Sequence, residues 1–352
     1  MTQLPSSLKS GLKSGLQSGL EAYKQRWKRR RLLWRAWRAG RGLLSVVDRT
    51  KALRRGDILG FACVRNEGAR LPYFLEHHRK LGVDHFLIVD NDSDDGSAAM
   101  LAAQPDVSLW SSTASYRGSR FGLDWVGALL LRHGAGHWCL TLDADEILIY
   151  PDWQARDLRA LTAWLDAKGA AGLPAMMLDL YPKGPLSQVT LAPGQDPLRA
   201  LPYFDAGPYD RTAQARYGNT AIRGGVRRRV FFADAPEHAP HLHKLPLVKW
   251  QRRYVYLSST HLALPRRLNG GFADAALPSG LLLHTKFLPD VLTKSADEKA
   301  RREHFTHAER YDPYYDQILA DPDFWDENSL RVEGWQQLLA LGLMQGGDWQ
   351  AV

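Results

Sequence analysis

Short apolar runs alternate with helically spaced stretches through the first half of the chain. Segments 58–64, 85–89, 107–110 and 137–142 are nearly continuous apolar runs, the pattern of strands buried on both faces. Between them, 71–81, 97–103 and 121–132 space their apolar residues along one helix face, and the first of these stops at Gly82. The alternation predicts an α/β fold: a mostly parallel sheet with helices on both faces. In such sheets, ligands collect beyond the carboxyl ends of the strands.

Beyond Pro151 the pattern loosens. A helix is expected over 156–168, strands over 174–181 and 225–232, and an apolar run over 281–287. Segment 182–224 is rich in Pro and Gly and reads as long loops. Segment 295–310 is heavily charged with helical spacing, and 335–343 closes the chain as a helix. The expected organisation is therefore a basic arm over 1–56, an α/β domain over 57–290 whose halves are 57–150 and 151–290, and a helical extension over 291–352.

Charge sharpens that division. Residues 1–56 hold 15 Lys/Arg against Glu21 and Asp48, whereas the remainder holds 31 basic and 36 acidic residues. The basic character belongs to the arm and the body is mildly acidic, so overall charge is a poor argument for nucleic-acid binding. Within the arm, residues 4–20 repeat Leu-Lys-Ser-Gly and read as flexible or weakly helical. From 20 to 41 a helix is expected, with Tyr23, Trp27, Trp34 and Trp37 on one face at about 0°, 40°, 20° and −40°. Arg30, Arg31, Arg35, Arg38 and Arg41 flank them. Aromatic rings beside arginines suit the interface of an anionic membrane. Packing of the tryptophans on the body or on a second subunit is the alternative. No run approaches the ~18 apolar residues of a membrane span, and the first residues lack the apolar segment of a secretory leader. Cys63 and Cys139 form no CxxC pair, which excludes a cysteine-rich metal site and fits a reducing compartment. A cytoplasmic protein is expected, peripheral on the inner membrane face if the helix binds lipid.

Two acidic clusters carry candidate chemistry. Asp143-Ala144-Asp145-Glu146 follows the fourth strand, and in extended chain 143 and 145 point to the same side. Two such carboxylates repel each other unless a cation neutralises them, and an oxygen-rich pair suits Mg2+ or Mn2+ with phosphates completing the shell. On that reading, neutralising Asp145 relieves repulsion and raises metal-free stability. The second cluster, 90–96, follows the second strand. A calcium loop would need Gly sixth and Glu twelfth, where Asp95 and Leu101 stand, so that reading is excluded. Asx turns capping a helix at Ser97 are expected instead. Asp90 or Asp92 is then placed to accept hydrogen bonds from a nucleoside, and Arg65-Asn66-Glu67 ends the first strand beside them.

Together these segments carry a resemblance. The strand ending in Arg65-Asn66-Glu67, then GVDHFLIVDNDSDDGS, then WCLTLDADEIL resemble, in order and spacing, the nucleotide-binding half of a GT-A glycosyltransferase of the family 2-like group. The resemblance implies a GT-A-type Rossmann-like sheet over 57–290, with the basic helix before it and the helical extension after it. It implies nucleotide contacts at Asn66, Glu67, Asp90, Asp92, Asp143 and Lys286, and a divalent ion on Asp143 and Asp145. A late histidine often joins such a metal; His284 in LLLHTKFL matches best and His261 second. The later blocks GGVRRRVFF, HKLPLVKW and YVYLSSTHLAL match more weakly. The family's usual acidic base motif is absent, leaving Asp179, Asp205 and Asp210 as candidates.

The implied activity is metal-dependent transfer of a sugar from a nucleotide-sugar to a glycan, an envelope polysaccharide or a lipid-linked acceptor, with inversion. A nucleotidyltransferase making a nucleotide-sugar shares the same half-fold. An inert membrane-associated binding protein is disfavoured, because Asp90, Asp143 and Asp145 occur together. A nucleic-acid partner for the Arg/Trp helix is not expected, since the one-sided aromatic face fits a bilayer better than a strand of bases.

Overall fold

A computed structural model describes residues 6–301 and 312–351. The chain opens with helix α1 (Ser6–Ala39), which takes in both the Leu-Lys-Ser-Gly repeat and the aromatic segment, followed by the short strand β1 (Leu44–Val47). The alternating half is β2 (Ile58–Val64), α2 (Leu71–Lys80), β3 (His85–Asp90), α3 (Ser97–Ala102), β4 (Val107–Ser111), α4 (Leu123–Leu129) and β5 (Trp138–Thr141). Then come β6 (Glu146–Ile149), α5 (Leu158–Ala167), β7 (Gly172–Asp179), α6 (Pro197–Ala200), β8 (Tyr203–Asp205), β9 (Tyr209–Gln214) and β10 (Asn219–Gly224). The remainder is α7 (Gly225–Phe231), β11 (His243–Lys249), β12 (Val255–Ser258), β13 (Leu262–Leu264), β14 (Gly280–His284), α8 (Asp290–Arg301), α9 (Asp312–Leu319), β15 (Ser329–Arg331) and α10 (Trp335–Ala340).

Nine strands form one mixed sheet in the order β1-β4-β3-β2-β5-β11-β7-β14-β6. Strands β2, β3, β4, β5, β7 and β14 run one way, and β1, β11 and β6 run against them. The fold is α/β and Rossmann-like, as expected. Its apolar strands supply two cores because each buries both faces. Ile58, Ala62, Val64, Phe86 and Ile88 meet Leu71, Phe74 and Leu75 of α2 and Leu158, Leu161 and Leu165 of α5. The alternate residues Leu59, Phe61, Leu87 and Val89 meet Leu123, Val126 and Leu129 of α4. Within the sheet, Gly60 of β2 stands beside Phe86 of β3, and a Cβ on it would lie 2.6 Å from the Phe86 ring.

The order β4-β3-β2-β5 reverses direction of succession between β2 and β5, so a crevice opens beyond their carboxyl ends. The register levels the ends of β2 and β3, with Val64 opposite Asp90, while β5 ends at Thr141 opposite Phe61, short of the end of β2.

Several expectations need correction. Segment 225–232 is helical, not a strand: Gly224 and Gly225 have φ of 158° and 67°, and the second of these turns the chain out of β10 into α7. Segment 182–224 contains α6, β8, β9 and β10 rather than loops alone. The charged segment 295–310 lies partly outside the described residues; α8 covers Asp290–Arg301. No helix among the described residues is long and apolar enough to cross a membrane.

Candidate functional site

Three acids stand at or just after the carboxyl ends of β3 and β5, the two parallel neighbours of β2. Asp90 closes β3 and is buried; its Oδ2 accepts from Ser93 N at 3.1 Å, while Oδ1 has no hydrogen-bond partner within the protein. An unpaired buried carboxylate oxygen is costly unless a ligand or water serves it. Asp143 follows β5. Burial raises the Cys63 thiol pKa, and the charges of Asp143 and Asp90 raise it further. Asp145 is the third acid of these turns; burial raises the Glu67 pKa, Arg70 and Lys294 oppose that, and Asp145 adds to it.

The two carboxylates after β5 do not face each other unshielded. Lys244 of β11 reaches Asp143 Oδ2 at 3.1 Å and Glu146 Oε1 at 2.9 Å. Burial pushes Glu146 up to about 7, Lys244 opposes that shift, and Asp143 and Asp145 add to it. Asp145 instead belongs to a second chain of charges. His284 Nε2 lies 3.1 Å from Asp145 Oδ2 and its Nδ1 lies 2.6 Å from Asp179 Oδ1, while Arg227 Nε donates to Asp179 Oδ2 at 2.8 Å.

Strand register builds this second network. His284 ends β14, opposite Asp179 in the parallel neighbour β7 and opposite Glu146 in the antiparallel neighbour β6. Asp145 is one residue before β6, and its carbonyl accepts from Thr285 N at 2.8 Å. Burial would lower the His284 pKa, but Asp145 and Asp179 raise it to about 9, so the imidazolium is the resting form at neutral pH. Burial would raise both carboxylates. His284 brings Asp145 well below the carboxylate range, and Arg227 then His284 bring Asp179 to about 2.

A divalent cation fits part of this donor set. Among the described residues, no group of three or more His, Cys, Asp or Glu side chains is assembled as a metal cage. Asp145 and His284 nevertheless offer one carboxylate oxygen and one imidazole nitrogen 3.1 Å apart. Two protein ligands suffice for an ion that also takes diphosphate oxygens and water. Asp143 is directed to Lys244.

The remaining expected residues sit as follows. Asn66 (φ 52°) donates Nδ2 to Asp94 Oδ1 at 2.8 Å and accepts from Asp94 N at 2.9 Å, so its amide joins the β2–α2 loop to the β3–α3 loop. Asp92 is exposed at the loop tip with φ 62°. Glu67 receives Arg70 at 3.0 Å and Lys294 of α8 at 2.6 Å. Lys286 does not extend the strand beside His284, because β14 ends there; it is half-buried, 5.6 Å from the Tyr314 ring centre, and still helps to lower the Asp145 pKa. His261 Nδ1 contacts His243 O at 2.6 Å, behind Lys244, and it is not joined to Asp145.

The base candidates and the arginine triplet explain each other. On a helix three successive residues point about 100° apart, and each arginine of α7 takes a different acid. Arg227 pairs with Asp179 at 2.8 Å, Arg228 with Asp210 at 2.5 Å and Arg229 with Asp205 at 2.9 Å. Asp205 also accepts from the Tyr181 hydroxyl. Sequence reasoning did not anticipate Lys244, Arg70 or Arg227 as members of this cluster. The only signal for Lys244 was a lysine inside an apolar block, HKLPLVKW.

No family model matches the chain, and no curated protein matches it. Among solved structures it is similar to a crystal structure of 4-diphosphocytidyl-2C-methyl-D-erythritol synthase. The likeness has a TM-score of 0.24 and 18% identity, over 40% of this chain and 69% of that one. A likeness of that size decides nothing about the reaction.

Proposed function

We propose that the chain is a glycosyltransferase that binds a nucleotide-sugar with a divalent ion, Mn2+ or Mg2+, beyond the ends of β2, β3 and β5. What supports the reading is Asp90 at the end of β3, with one oxygen unserved by the protein, beside the strand reversal where Asp143 and Asp145 follow β5. Asp90 Oδ1 accepts from the nucleoside. Asp143, more than half exposed yet tethered by Lys244, faces the ribose side of the crevice. Asp145 and His284 would hold the ion, which would supply charge neutralisation toward the diphosphate when bound. Asp179 and Arg227 act behind them by fixing the His284 ring through its Nδ1.

The acceptor is a glycan or a lipid-linked hydroxyl compound, and transfer proceeds by a single inverting displacement. Asp179, Asp205 and Asp210 each hold an arginine, so a base drawn from them has to exchange that partner for the acceptor hydroxyl.

The test is product analysis with the full chain. Given a panel of nucleotide-sugars and Mn2+, the protein is expected to release a nucleoside diphosphate and a transferred or hydrolysed sugar. Formation of pyrophosphate from a nucleoside triphosphate and a sugar 1-phosphate, with no diphosphate release, overturns glycosyl transfer in favour of nucleotidyl transfer.

A further inference from the structure

The second half of α1 is packed on one side and bare on the other. Leu32 and Ala36 are buried, and at 100° per residue they lie at about 180° and 220° from Tyr23. Ala36 packs at Gly127 of α4, and Leu32 clusters with Val255 and Leu264 of the β12–β13 hairpin. Polar clamps reinforce this side: Arg35 bonds Asp124 at 2.8 Å, and Gln25 donates to Arg216 O at 2.7 Å. The helix is therefore fastened to the body along its length from residue 25 onward.

The opposite side carries Tyr23, Trp27, Trp34 and Trp37 at 52%, 56%, 54% and 52% exposure. More than half of each of these side chains is open to solvent, so the tryptophans are not buried against the described residues of the body. Leu20 continues the stripe before Tyr23, and exposed Leu44 and Val46 of β1 follow the helix after one short turn. Exposed large apolar residues concentrate here, with only Leu319 and Leu341 elsewhere among the described residues. A concentration of this kind marks a docking face.

Charge decides what docks. Arg26, Arg30, Arg31, Arg38 and Arg41 are exposed around the stripe, and none is within ion-pair distance of a carboxylate among the described residues. Arg30, Arg38 and Arg41 lie 5.9, 5.5 and 5.4 Å from the ring centres of Trp27, Trp34 and Trp37. Two copies of this face would oppose their arginines, which disfavours self-association. A nucleic-acid strand would answer the arginines and rings but has no use for aliphatic Leu20, Leu44 and Val46. An anionic bilayer interface answers all three: phosphates for the guanidinium groups, the glycerol region for indole, and acyl chains for the aliphatics.

We propose that the outer face of α1 and the exposed side of β1 form one fixed docking face for an anionic lipid bilayer. The attachment is rigid rather than tethered, because the same helix grips α4 and the β12–β13 hairpin. That hairpin's turn carries Ser259, whose Oγ lies 3.4 Å from the Lys244 Nζ that holds Asp143. Docking thus sets the catalytic sheet at a constant orientation to the membrane. The proposal goes beyond glycosyl transfer and does not depend on it.

The experiment is flotation of the full chain with neutral vesicles and with vesicles containing about one-third phosphatidylglycerol. The chain is expected to float only with the anionic vesicles and to release at high salt, where charge is screened. R30E/R38E/R41E is expected to weaken partitioning about a hundredfold or more, at ~1 kcal/mol per basic residue lost. W27A/W34A/W37A is expected to lose most flotation with an unchanged thermal midpoint, since these rings support no core. L44S/V46S, which leaves the helix intact, is expected to weaken binding as well, and in the parent chain brominated lipids should quench tryptophan fluorescence. Parent-like flotation of the tryptophan variant overturns the proposal. So does a dimer that forms through this face without vesicle binding, or displacement from vesicles by an equimolar oligonucleotide. Each of these can be read while nucleotide-sugar hydrolysis continues, so failure here is separable from failure of the enzymatic reading.

Discussion

Replacing Asp145 by asparagine separates two accounts of the acidic turn. If Asp143 and Asp145 repelled each other, D145N would stabilise the metal-free protein. The structure predicts the reverse, because each carboxylate already has its own buried cation: Lys244 for Asp143 and His284 for Asp145. His284 is held at about 9 against an ordinary value near 6.5. That difference is worth about 3 kcal/mol, shared between Asp145 and Asp179. Asp145 is the larger raising influence, so D145N is expected to cost about 2 kcal/mol.

The pH dependence gives the prediction its signature. A histidine whose folded pKa is raised contributes its full stabilisation below about 6.5 and loses it as pH climbs through about 9. Asp145 and Asp179 are lowered, so their contributions are present above the ordinary value near 3.9 and are lost only as pH falls below it. The full difference between parent and D145N is therefore expected near pH 6 and most of it should vanish by pH 10. Urea unfolding of both proteins in chelator, followed by far-ultraviolet circular dichroism, measures it. Equal or greater stability of D145N at pH 6, or an offset that does not change with pH, refutes the reasoning.

Other outcomes follow from the same contacts. D90A should weaken nucleoside diphosphate binding by about 1.5–3 kcal/mol, the worth of a charged acceptor, in calorimetry; unchanged affinity would reduce Asp90 to a turn residue. K244M removes the cation between Asp143 and Glu146 and should cost about 3–5 kcal/mol at pH 8. The cost should be smaller at pH 5.5, where Glu146, held near 7, is already protonated, and equal losses at both pH values in urea melts would contradict this. Mn2+ binding should displace the His284 proton, so calorimetry in buffers of different ionisation enthalpy should register about one proton released at neutral pH. No release would remove His284 from the metal shell.

The legible part of this protein was the part made by neighbours in sequence. β2 to β5 and their helices announce themselves because each strand is apolar on both faces and each connection is one short helix. Their ends then place Asp90 and the Asp143–Asp145 turn without further information. What stayed hidden depends on pairing at a distance. β11 enters the sheet between β5 and β7, and nothing local in HKLPLVKW says that its lysine will meet Asp143. The three arginines of α7 looked like an alternating strand because Val and Phe flank them; the left-handed Gly225 sends them into a helix, where each finds a different acid. β1 was missed because its burial does not alternate: three of its four residues are exposed on the sheet's edge.

The central claim is that Asp90, Asp145 and His284 form a nucleotide-sugar site that works with a divalent ion. The most direct measurement is thermal unfolding of the full chain against a panel of nucleotide-sugars, with and without Mn2+. Ligand at about a hundred times its Kd adds about 2.7 kcal/mol, enough to raise the midpoint by several degrees. The account predicts such a rise for at least one nucleotide-sugar, only with the ion present, and absent in D145N. No rise with any member of the panel, or a rise indifferent to both the ion and D145N, would contradict it.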